Sequence, residues 1–138
     1  MSDAANVSYA LVQAVHNYGA VAVVGGPAAA VLWAREQKTV PMVLAWLTLS
    51  GWIVQGLSGI GFAVTSYVSH GELPEVTGIA LVALAIKVTC ALVGFSLIAW
   101  YLLATSQKRE THQRKLFPTL FFIGFTALTC AAFLRWFG

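Results

Sequence analysis

The sequence predicts an all-α, polytopic integral membrane protein: four transmembrane helices in one antiparallel bundle. Three observations predict it. Of 138 residues, 59% are hydrophobic and only 9% are charged, with a mean hydropathy of +0.78, whereas a soluble domain carries about 25% charged residues. Four stretches contain no Asp, Glu, Lys or Arg: Ala4 to Ala34, Thr39 to Gly71, Val88 to Gln107 and Leu116 to Leu134. Each exceeds or approaches the roughly 20 helical residues that cross a hydrocarbon core. The connections between them are short, which leaves room for one bundle and no second domain. A soluble catalytic domain, a disordered chain and a nucleic-acid binder are all disfavoured by this composition.

The first helix is placed near 8–33, with Pro27 as a late kink. Met1-Ser2-Asp3 lacks the basic n-region of a signal peptide, and the apolar run is too long for an h-region, so it reads as a retained first span. The second helix is placed near 40–67, with Pro41 at its start. The third, near 76–105, begins before its charge-free part because 76–86 is continuous with it, and this puts Lys87 inside the membrane. The fourth is placed near 118–137. Glycines are frequent in these spans, as membrane helices allow.

Six of the eight basic residues fall on one side of the bundle: Arg35 and Lys38 in the first connection, and Lys108, Arg109, Arg114 and Lys115 in the third. The second connection, Ser69 to Glu75, has none. The positive-inside rule assigns the basic side to the cytoplasm and both termini to the outside of a cell membrane, with a bacterial inner membrane the expected location. Topology accounts for the basic residues without nucleic acid. The lipid bilayer is the expected partner.

Polar groups within a bilayer cost about 2.5 to 3.5 kcal/mol on insertion scales, so each is a functional candidate. Counting about 1.5 Å per residue from the outer end puts His16 roughly 12 Å, Lys87 roughly 16 Å and Gln55 roughly 18 Å deep. Three helices thus contribute to one polar layer. A neutral imidazole is a good ligand for haem iron or copper. Beyond His16, Gly19 and Ala20 make a face of little bulk, which suits either a macrocycle edge or close helix packing. Lys87 and Gln55 are the candidate catalytic groups, through proton transfer or by anchoring a propionate. With one deep histidine, at most one haem b is expected, with His16 as its metal ligand. Cys90 and Cys130 read as free packing residues rather than a disulfide or a thiol metal site.

The segment from Leu11 to Gly26, LVQAVHNYGAVAVVGG, resembles the first span of the small bacterial protoporphyrinogen IX oxidases of HemJ type, and also a span of the copper-resistance CopD-like membrane proteins. His16 and Lys87 match a first-helix histidine associated with haem b and a third-helix lysine in the HemJ-like family. The resemblance implies four spans, haem b, and an oxidoreductase acting on a membrane-soluble reductant, a quinol or a porphyrinogen. It implies, too, a redox partner protein or a larger membrane complex. The chain departs from the family after the first helix, where Pro27 to Arg35 replaces Leu-Pro-Arg, and in the third helix, where Lys87 is followed by Val-Thr-Cys-Ala. Two further readings remain: a copper- or metal-handling protein built on His16, and a cofactor-free anchor subunit of a respiratory complex whose Gly51, Gly56, Gly59 and Gly61 face another subunit.

Overall fold

The computed structural model describes residues 3–36, 39–72 and 75–137. Lys38 of the first basic connection and Leu73 and Pro74 of the acidic one lie outside these residues. Four helices account for nearly all of them: α1 (Asp3–Glu36), α2 (Met42–His70), α3 (Gly78–Leu103) and α4 (Ser106–Phe137). All four are long and apolar enough to cross a membrane. The chain runs up and down, so that α1 packs on α2 and α4, and α3 packs on α4 and α2, while the backbones of α1 and α3 do not approach each other. In cross-section α1 and α3 are therefore diagonal.

The helix ends differ from the sequence placement for identifiable reasons. The second helix begins at Met42 rather than Val40, because the residue before a proline is driven out of the helical region and the Val40 N–H is instead satisfied by Gln113 Oε1 at 2.9 Å. It runs on to His70, where Gly71, at φ 76°, supplies the left-handed residue that ends the helix and donates its N–H to Tyr67 O. The largest correction concerns the third connection. It consists of Ala104 and Thr105 alone, and the basic segment from Lys108 to Lys115 is the first part of α4. Glutamine, lysine, arginine and glutamate are good helix formers, and Arg109 Nη1 donates to Ala104 O at 3.1 Å, tying the two helix ends together. Pro118 thus lies inside α4 and does not start it.

Helix packing is closest in the half nearer the basic end. There Ile98, Tyr101, Phe117 and Leu120 are buried together with Ala30 and Ala45, and glycines let backbones approach. A Cβ on Gly51 would lie 2.9 Å from Val23 N, and one on Gly94 would lie 2.5 Å from the Trp52 ring. Pro27 has no N–H to give to the Val23 carbonyl one turn before it. Gly124 of α4 fits against that carbonyl, where a Cβ would sit 2.7 Å from Val23 O. The half nearer the acidic connection is filled by small or polar residues, including His16, Ser58, Ala80, Ala83 and Cys130.

Candidate functional site

His16, Gly19, Val23, Gly26 and Ala30 are buried and recur every three or four residues, which makes them one face of α1. His16 heads this face and is only 8% exposed. Its Nδ1 lies 2.7 Å from Ser58 Oγ on α2. That hydroxyl also bonds the Val54 carbonyl, which can only accept, so the hydroxyl proton goes there and the Ser58 lone pair receives Nδ1–H. The network thereby assigns the tautomer. Nε2 is left as an acceptor, and Lys87 Nζ donates to it at 3.1 Å. His16 is neutral in this arrangement. Phe62 closes one side, its ring edge-on at a centroid distance of 5.5 Å.

Lys87 reaches His16 across the diagonal of the bundle, from a helix whose backbone does not touch α1. A flexible four-carbon stem makes this possible. The fourth helix contributes Cys130, buried and within electrostatic reach of Lys87. One layer near the bundle axis is thus built from all four helices: His16, Ser58, Lys87 and Cys130. Both Cys130 and Cys90 are free thiols.

Gln55 does not face Lys87. Its Nε2 donates to the His16 carbonyl at 2.6 Å, clamping α2 to the α1 backbone at the histidine. Gly19 lies against α2, where a Cβ would meet Val54 Cγ1 at 2.9 Å and Gln55 Nε2 at 3.1 Å, so its smallness serves helix approach. Ala20 faces the seam between α1 and α4 and lines a groove there with Asn17. Asn17 is exposed and accepts from Gln13 Nε2 at 2.8 Å, away from the axis. Of the residues singled out from sequence, the structure brings together His16, Lys87, Gln55 and Ser58. The Lys87–Cys130 proximity was missed: depth counting within each helix carries no information on helix rotation.

An apolar cavity of about 870 Å³ lies beside this layer, between α3 and α4. Ala83 and Cys130 are its buried lining residues, while Ile79, Val82 and Phe125 are exposed along its walls. A molecule dissolved in the bilayer can reach it sideways. Among the described residues no three His, Cys, Asp or Glu side chains converge on a metal-sized site. For a haem iron the donor set fits: a neutral imidazole with Nδ1–H held by a hydroxyl presents Nε2 in a fixed orientation, as ligating histidines do. The glycines of the anchor reading divide: Gly51 packs on Ala22 and Val23, Gly61 contacts Val12, and Gly56 and Gly59 face open space. Compared with known proteins, the chain matches no family model, no curated protein and no solved structure.

Proposed function

We propose that this chain is a small multi-pass membrane redox protein, an oxidoreductase or electron carrier, in which His16 holds one haem b and Lys87 handles the proton of a membrane-soluble reductant. The observation that carries this reading is the division of labour at His16, with Nδ1–H given to Ser58 and Nε2 turned to Lys87 on the bundle axis. The resemblance of the first span to the HemJ-type oxidases supports it further. When bound, haem b supplies a one-electron couple. The protein's own residues do the rest. Ser58 keeps the tautomer, and Gln55 fixes the backbone beneath the ring. Lys87 Nζ holds or releases a proton beside the apolar cavity, which suits a quinol or porphyrinogen approaching from the bilayer. The basic connections face the cytoplasm in this reading, and both termini face out, in a bacterial inner membrane.

The metal-handling alternative has less support, because a copper site needs several convergent ligands and the described residues gather none. The anchor alternative draws on the open space over Gly56 and Gly59, a face on which a redox partner's helix would pack. A reduced-minus-oxidised visible spectrum of the detergent-purified protein, with pyridine haemochrome quantitation, tests the proposal beside a His16→Ala variant. A haem b signal that disappears in the variant is the expected result. A folded, colourless protein expressed with ample haem overturns it.

A further inference from the structure

A second polar cavity, of about 380 Å³, lies at the basic end between α1 and α4, far from His16. It is lined by Val31, Ala34 and Arg35 of α1 and by Gln113, Arg114 and Pro118 of α4. Two guanidinium groups therefore flank one small cavity whose remaining walls are mostly apolar. Among the described residues neither arginine has an ion-pair partner. Glu36 and Glu110 lie on the same helices, but neither lines the cavity. Each guanidinium presents five N–H donors in a fork that matches a phosphate.

The same seam continues toward the other side of the membrane. A groove of about 450 Å³ is lined by Asn17, Ala20, Val21, Val24 and Gly25 of α1 and by Leu128 of α4. Val21, Val24, Val31 and Arg35 fall at spacings of three, seven and four, one face of α1, and Arg114, Pro118 and Leu128 fall on one face of α4. The two cavities are thus stations along a single seam. From Arg35 to Val21 is about 21 Å at 1.5 Å per residue, more than the roughly 15 Å of hydrocarbon in one leaflet. A polar, doubly basic mouth followed by an apolar channel of leaflet length has the form of an anionic phospholipid.

We propose that the α1–α4 seam binds one anionic phospholipid, its phosphate on Arg35 and Arg114 and an acyl chain along Val31, Val24 and Val21. Basic cavities between membrane helices at the cytoplasmic edge hold lipid headgroups in this way. The site is independent of any cofactor at His16.

Native mass spectrometry of the full-length chain, released from detergent with added phosphatidylglycerol or phosphatidylcholine, reads the binding directly. One retained phosphatidylglycerol per chain, preferred over phosphatidylcholine, is expected. Arg35→Gln and Arg114→Gln each lower that preference about fivefold, the effect of roughly 1 kcal/mol per basic residue, and the double variant abolishes it. Both arginines are exposed, so helical content by circular dichroism stays unchanged. Gly25→Leu fills the far groove, where a Cβ would meet only Val21 Cγ1 at 4.0 Å, and weakens both lipids alike. Retention unaltered in the double variant overturns the proposal, as does an equal loss in Lys108→Gln, which would mark a diffuse basic edge. Displacement by millimolar inorganic phosphate, with Gly25→Leu without effect, also overturns it in favour of a free-anion site.

Discussion

Ser58 decides which nitrogen of His16 carries the proton, because its own hydroxyl is committed to the Val54 carbonyl. Removing it in Ser58→Ala frees the ring to rotate and to change tautomer. Loss of such a supporting hydrogen bond typically weakens a bound metal centre 10- to 100-fold, so the haem-to-protein ratio after purification falls by about that factor. Lys87→Met acts in the opposite direction on binding, since it removes the group that occupies Nε2. Haem content is retained or rises, while the rate of haem reduction by added quinol drops. His16, Lys87 and Gln55 were legible in the sequence because a polar residue in an apolar run stands out whatever the fold. Their partners were not. Gln55 holds a carbonyl rather than Lys87, and Cys130 faces Lys87 rather than merely filling space. Both facts depend on rotation about helix axes, which residue counting leaves undetermined.

At the scale of the helices, the contact between Pro27 and Gly124 is specific. A proline frees the Val23 carbonyl, and a glycine on the neighbouring helix leaves room for it. Gly124→Ala brings a methyl group to that oxygen and pushes α1 from α4. Overpacking of this kind costs about 1 to 3 kcal/mol, read as a lowered thermal midpoint in detergent. Gly94→Ala, which meets the Trp52 ring, has a similar cost. Gly59→Ala meets nothing, and the gain in helix propensity leaves the midpoint unchanged or higher. The four spans were legible because length and hydropathy determine them. The start of α4 was not, since a basic, polar stretch next to a membrane reads equally as a loop. Its helix formers, and the Arg109 side chain on the end of α3, resolve it into three turns of helix.

For the whole molecule, the antiparallel order of the helices follows from their short connections and gives the two ends opposite character. One end carries α4's basic turns and the other the acidic turn after α2. A cysteine at Gln107 is expected to react with a membrane-impermeant maleimide only from the cytoplasmic side, and one at Glu72 only from outside. Reversed labelling in intact cells and inverted vesicles would reverse the orientation. The same order makes α1 and α3 diagonal, so the hydrogen bond from Lys87 to His16 bridges two helices that otherwise do not meet. Its acceptor is a single lone pair. Anything that coordinates Nε2 must evict Lys87, and the two claims on that nitrogen are mutually exclusive. Arrival at the histidine therefore releases one ammonium group per event, and departure takes it back, an exchange whose stoichiometry is set at one by the valence of nitrogen.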